Sequence, residues 1–290
     1  MQRRTVFAIA AAITLAACGS KSNQRTYTVH GQVQSITLDR QEAIVKHGEI
    51  AGLMPAMTMP YRIREKAELE AVKPGDLIDA TLVIAESDAF LTGVKKVGEA
   101  PLEQPPADAD RVATASGPAP LKPGEIVPDS TFVDQEGRKR SFNAFRGSTL
   151  VVTFIYTRCP LPTFCPLMDR HFAAIQEHLH DDPSLKNVHL LTITFDPLYD
   201  TPAVLKKHAH ELDADLKRWT FLTGDREAIE KFGARFGVAV SRAANDARDV
   251  THNLRTAIVG PDGKLIKVYT GNEWTPDEIL ADLKPTANAD

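Results

Sequence analysis

Leu150-Val-Val-Thr-Phe-Ile-Tyr-Thr-Arg-Cys-Pro-Leu-Pro-Thr-Phe-Cys-Pro-Leu-Met168 joins a strongly apolar run to a stretch that is amphipathic from Leu167 to Leu179. The first part reads as a buried strand and the last as a helix near 167–180. Between them lies a loop stiffened by Pro160, Pro162 and Pro166, which carries Cys159 and Cys165. These are the only thiols outside the first twenty residues. A helix N-terminus stabilises thiolate, so two soft sulfur donors here suit either redox exchange or a soft metal. A structural disulfide is the plainer alternative, but it would close only a short interval and constrain little of the unfolded chain.

Strands and helices alternate outward from this point. Thr131–Val133 and Lys139–Phe142 flank a Gln135-Glu-Gly137 turn, and a second buried strand spans Val188–Phe195. Thr201-Pro202 reads as an N-cap followed by proline at the first helical position. Trp219–Leu222, a helix near 225–236, Arg255–Val259, Leu265–Tyr269 and a helix from Thr275 complete the pattern. Such alternation, closing on a hairpin and a helix, predicts an α/β thioredoxin-like domain over 125–284, with 285–290 as a tail.

Upstream the pattern differs. Short β-branched runs (Thr28–Val33, Ser35–Leu38, Ala43–Lys46, Thr58–Ile63, Asp79–Ile84, Ala89–Val94) predict a small all-β, OB-like barrel over 27–98. Residues 99–124 are rich in Pro and Ala and read as an extended linker. The fold class is therefore multidomain.

The N-terminus reads as a processing signal over 1–18. Arg3 and Arg4 precede an apolar stretch, Val6–Ala17, that is too short to span a bilayer. Cys18 at the exit, before Gly19-Ser20, fits a bacterial lipoprotein in which Cys18 is lipidated, with 19–26 as a tether. The expected location is the cell envelope, facing the periplasm. Gly19 is not an acidic retention signal, so inner and outer membrane both stay open. In that compartment disulfides persist, and a metal role for Cys159 and Cys165 calls for a thiol reductant. Removing Arg3 and Arg4 takes the formal charge from −4 to −6 (−4 − 2 = −6). A mildly acidic chain argues against nucleic acid as a partner.

A second constellation lies in the barrel. Met54-Pro-Ala-Met57-Thr-Met59 follows His47, and three of the chain's five methionines fall within six residues. Met57 and Met59 alternate along a strand and leave it on one face. Thioethers select Cu(I), although a Met pair at this spacing is also ordinary barrel core. His178, His180, His208 and His210 read as solvated surface residues, because their spacing puts neither pair on one helix face.

Several segments together resemble the Sco/SenC family of copper proteins that serve cytochrome oxidase assembly: Val127–Phe132 with Asp134–Gly137, Tyr156–Pro160, Cys165-Pro166, Phe195–Pro202, and Thr251-His252 before Ala257–Gly263. The resemblance implies copper held by Cys159, Cys165 and His252, with Asp196 a neighbour of the site rather than a ligand. The family leaves three residues between its cysteines and this chain leaves five, so the loop must bulge or the second thiol must move up the helix. The Met-Thr-Met segment with Lys73-Pro-Gly-Asp76 resembles the periplasmic copper-binding CusF type, whose ligands map onto His47, Met57 and Met59. Met54 stands near that family's capping tryptophan and could ligate directly.

The expectation is an envelope metallochaperone that binds Cu(I) and Cu(II) at two sites. Its partner would be the copper-bearing subunit of a cytochrome oxidase or another copper protein, and its membrane contact the lipid anchor. The alternative is a thiol-disulfide oxidoreductase in which Cys159 and Cys165 form the redox-active pair that reduces client cysteines before metallation. Peroxide reduction is a third reading, weakened by the lack of a separate resolving cysteine.

Overall fold

The computed structural model describes residues 24–102, 118–243 and 246–287. The segment 1–18 with Cys18, most of the 19–26 tether and the middle of the linker lie outside the described residues, as does the end of the tail.

Five antiparallel strands form the first domain: β1 (Arg25–Thr37), β2 (Glu42–His47), β3 (Met57–Arg62), β4 (Asp76–Ile84) and β5 (Ala89–Glu99), with a short helix α1 (Lys66–Glu70) between β3 and β4. The sheet order is β3-β2-β1-β4-β5. Alternation drives it: Ala43, Val45 and His47 of β2 point inward while Ile44 and Lys46 point out. The sheet curls until its edges meet, with Ile63 just past β3 bridging Leu91 of β5. The enclosed core contains Val29, Val33, Val45, Ile78, Leu82 and Leu91. The two runs expected at 28–33 and 35–38 are one strand, whose ladder with β2 slips between Val33 and Ser35.

The second domain has a seven-stranded sheet built from β6 (Thr131–Asp134), β7 (Lys139–Ser141), β8 (Thr149–Ile155), β9 (Val188–Thr194), β10 (Trp219–Thr223), a ribbon of β11 (Val240–Ala243) and β12 (Asp246–His252) outside it, then β13 (Arg255–Val259) and β14 (Leu265–Thr270). Its order is β14-β13-β8-β9-β10-β6-β7. The central β8, β9 and β10 are parallel, so helices must carry the chain back: α2 (Cys165–Asp181) after β8 and α3 (Pro202–Glu211) after β9. Further on come α4 (Arg226–Ala234) and α5 (Pro276–Ala287). Every residue of β8 is buried. Val151 and Ile155 face Met168, Phe172 and Ile175 of α2, while Val152 and Phe154 face Ile229 and Phe232 of α4. Thr201 caps α3 as expected, accepting from the Val204 amide at 3.4 Å.

Leu121, within the stretch read as linker, is buried in the second domain's core, and its amide donates to the Arg235 carbonyl at 2.8 Å. The ribbon β11–β12 has no apolar alternation to announce it. It lies against β3 of the barrel and ends on His252.

Candidate metal centre

β8 delivers the chain to the centre, and the Asp196–Asp200 turn after β9 fixes where it goes next. Asp200 is fully buried and accepts from the Thr157 amide at 3.1 Å, the Thr157 hydroxyl at 2.5 Å and the Thr194 hydroxyl at 2.5 Å. Arg158 is held by Asp196 through its Nε at 2.8 Å, and its guanidinium lies 4.7 Å from the Tyr199 ring centroid. Asp196 therefore braces the residue preceding Cys159. The loop then bulges through Pro160–Phe164. Arg170 donates to the Pro162 carbonyl at 2.9 Å and Asn272 to the Thr163 carbonyl at 2.7 Å. Cys165 is the first residue of α2, so the extra loop residues are taken up by the bulge and the second thiol stays at the helix start.

Both thiols are unbridged; Cys159 is half-buried and Cys165 buried. The Cys165 thiol bonds to Cys159 and, outweighing the opposing burial, brings the Cys159 pKa down to about 7, helped by backbone bonds at Leu161 and Cys165 and by the Tyr156 hydroxyl. Cys165 goes the other way: burial raises its pKa well above the ordinary value, and the neighbouring Cys159 adds to this. The pair thus divides into one exposed-edge nucleophile and one protonated donor.

His252 packs its ring 4.2 Å from Phe195 and 5.6 Å, edge-on, from Tyr156. Its Nδ1 lies 3.2 Å from the Asn253 carbonyl. With the proton on Nδ1, the imidazole lone pair sits on Nε2. Among the described residues no three His, Cys, Asp or Glu side chains are clustered tightly enough to hold an ion. Cys159 and His252 instead line one cavity of about 60 Å³, and its other donors are methionines: Met54, Met57 and Met59. Tyr156, Leu161 and Phe164 supply its apolar wall.

The barrel's own donors share one patch. His47 pairs with Met57, and Val45 with Met59, across β2 and β3. Directly opposed residues have their side chains on the same face. Buried His47 sets its Nδ1 2.6 Å from the Gly48 carbonyl and packs edge-on against Tyr61. Tyr61 in turn donates to the Met54 sulfur at 3.9 Å. Behind His47, β1 must be Gly31, because a Cβ there would stand 2.6 Å from Val45 Cγ1 and 2.8 Å from the Lys46 carbonyl oxygen. Gly31→Ala is therefore expected to cost about 1–3 kcal/mol through overpacking against a stiff β-branched neighbour. Thermal unfolding checks this, and an unchanged midpoint would mean β2 can shift freely under His47.

One surface reading is corrected. His208 is largely buried and pairs with Asp169 of α2 at 3.1 Å, whereas His178, His180 and His210 are exposed. Burial disfavours charge on His208, but the bond to Asp169 together with the attraction of the Asp169, Asp200 and Glu211 carboxylates outweighs it and raises the pKa. Asp169 is itself raised by burial, against the pull of His208. The partners stand on different helices, so helical spacing within α3 could not reveal them.

Three structural residues of the site had not been singled out from sequence: Asp200, Arg158 and Leu161. Asp200 lies within the Phe195–Pro202 segment, where nothing local marks its carboxylate as a buried acceptor. Leu161 gave only the weak signal of an apolar residue between two prolines.

Residues 119–288 match the SCO1/SenC family, and residues 26–96 match the family of the copper binding periplasmic protein CusF. A SCO1 protein homolog of Bacillus subtilis (strain 168) is 34% identical over 156 residues, covering 53% of this chain and 79% of that protein. Two solved structures are similar. One is BsSco, described with a disulfide switch and as a member of the Sco family of cytochrome c oxidase assembly proteins: 30% identity, TM-score 0.50, covering 60% of this chain and all (100%) of that one. The other is a SCO1/SenC family lipoprotein from Bacillus anthracis str. Ames: 27% identity, TM-score 0.52, covering 59% and 100%.

Proposed function

The chain belongs to the SCO1/SenC family, and from that membership we infer that it is an envelope copper metallochaperone with two donor sets, one per domain. The observation that carries this reading is the convergence of Met54, Met57, Met59, Cys159 and His252 on one small apolar cavity. Thioether, thiolate and imidazole are the donors that copper prefers, and the set contains no carboxylate that would favour a hard cation.

The second domain would hold copper through Cys159, Cys165 and His252. With a pKa of about 7, Cys159 is about half thiolate at neutral pH. Cys165 must give up its proton as copper arrives, so loading there releases protons. Two thiolates and an imidazole serve both Cu(I) and Cu(II). The barrel set of His47, Met57 and Met59 favours Cu(I) and survives oxidants that would consume thiols. The facing arrangement keeps either set at high effective concentration for the other.

Delivery to a copper-bearing subunit of a respiratory oxidase follows from the family, whose member BsSco is described as a cytochrome c oxidase assembly protein. A periplasm-facing lipoprotein anchored at Cys18 agrees with the periplasmic description of CusF and the lipoprotein description of the Bacillus anthracis relative. No helix among the described residues is long and apolar enough to cross a membrane.

The test is Cu(I) stoichiometry at saturation, anaerobic and reduced. Two coppers per chain are expected, falling to one in Cys159→Ser/Cys165→Ser and to one in Met57→Leu/Met59→Leu. No copper on the wild-type chain would sink the reading. A wild-type chain that binds only one copper, unchanged in the cysteine variant, would favour the second reading, a thiol-disulfide oxidoreductase. The bonded thiol pair with its depressed Cys159, and the disulfide switch described for BsSco, both point that way.

A further inference from the structure

The Cys159–Cys165 loop does more than hold two thiols: it enters the other domain. Leu161 is 4% exposed, and what buries it is the core of the barrel, alongside Ile50, Met54 and Tyr61, with Cys159 and Phe164 packed on the same cluster. The loop is built to hold this shape. Arg170 and Asn272 of its own domain fix the Pro162 and Thr163 carbonyls, leaving Leu161 projecting on the barrel side. At the rim Arg40 of the barrel meets Glu273 of the second domain at 3.7 Å. Beside the plug lies the cavity of about 60 Å³ with thioethers on one wall and Cys159 and His252 on the other. A space of that size takes an ion or a few waters and excludes a peptide or a bulky thiol.

We propose that the first Cu(I) is bound across the domain boundary, by the Met57 and Met59 thioethers together with Cys159 and His252, and that Leu161, which has no donor atom, holds this composite site together. This rests on the copper reading above. Cu(I) is content with two to four soft donors in no fixed plane, so a site split between two bodies is chemically adequate. The composite site is also the intermediate of transfer: copper changes hands by exchanging a thioether for Cys165, or the reverse, without release to water. With a second copper the sites separate, each domain keeping its own ion. The docked barrel meanwhile covers part of Cys159, so a small reagent reaches its exposed edge, whereas a bulky thiol or a client reaches it only after undocking.

The experiment is anaerobic competition of the reduced full chain against bicinchoninate, reading the affinity of the first Cu(I) equivalent. Wild type is compared with Met57→Leu/Met59→Leu, Cys159→Ser, Leu161→Asp and the milder Leu161→Ala. Both donor changes are expected to weaken the first equivalent at least tenfold. Two separate sites cannot behave so, since the tighter one survives whichever change spares it. Leu161→Asp is expected to weaken it to a similar degree while saturation stays at two coppers, and Leu161→Ala to do so less. Folding of each variant is followed by circular dichroism, and should the aspartate variant not fold, the alanine variant decides. An unchanged first affinity in the folded Leu161 variant, or in either donor variant, overturns the composite site while leaving the copper reading intact. A wild-type chain that binds no Cu(I) removes both.

Discussion

Iodoacetamide is expected to label the reduced chain at Cys159 and not at Cys165, with a rate that reaches half its maximum near pH 7. The sign follows from the direction of each shift. Only thiolate reacts, and Cys159 loses its proton about where its pKa lies, near 7 rather than the ordinary 9.0. Lowering pH below 7 therefore switches the reaction off, and raising it above 8 adds little. At pH 6 the shift provides about 100-fold more thiolate than an unperturbed thiol, offset by about tenfold lower intrinsic nucleophilicity, for a net gain of about tenfold. Cys165 is buried and its pKa is raised, so it stays silent until the chain unfolds. Cys159→Ser should abolish labelling of the folded second domain. Cys165→Ala should move the midpoint upward, because the bond from Cys165 is the largest cause of the depression. A midpoint at 8.5 or above, or labelling split between the two thiols, would show that the pair is not coupled in this way.

Much of the frame behind this prediction is visible in the sequence, and the reason is locality. The run Leu150–Tyr156 can only be a buried strand, and the residues Met168, Phe172, Ile175 and Leu179 repeat with the period of one helix face. Barrel strands declare themselves by alternation, and His47, Met57 and Met59 meet because β2 and β3 pair in the simplest antiparallel register. What escapes is non-local. Leu161 is one apolar residue among prolines until a second domain closes over it. His208 looks solvated until Asp169 arrives from another helix. The ribbon that ends on His252 has no regular alternation of apolar residues in its sequence, so no hydrophobic period marks it. The joint cavity follows from docking of two domains whose sequences each describe only half of it.

Asp200→Ala is expected to destabilise the second domain by about 3 kcal/mol, a fall in its unfolding midpoint of about 6–12 °C. The carboxylate is fully buried and takes three bonds, from the Thr157 amide, the Thr157 hydroxyl and the Thr194 hydroxyl. Alanine strands the Thr157 N–H with no acceptor at the point where β8 hands over to the thiol loop, and the two hydroxyls lose their acceptor as well. Hydroxyls can rotate, so Asp200→Asn has a way to compensate. Its oxygen can face the Thr157 amide and the Thr194 hydroxyl, while its amide donates to the Thr157 hydroxyl. The asparagine variant is therefore expected to lose less than about 1 kcal/mol. This contrast separates geometry from charge: equal losses in both variants would mean that the negative charge itself is what matters. The consequence for the site is testable in the same samples. Thr157 precedes Cys159 by two residues, so freeing it loosens the approach of the Cys159 thiolate to the Cys165 donor. The alkylation midpoint of Asp200→Ala should then climb from near 7 toward the ordinary thiol value, while Asp200→Asn stays near 7. If the alanine variant is destabilised but its midpoint does not move, Tyr156 and the backbone at Leu161 position Cys159 by themselves, and Asp200 serves stability alone.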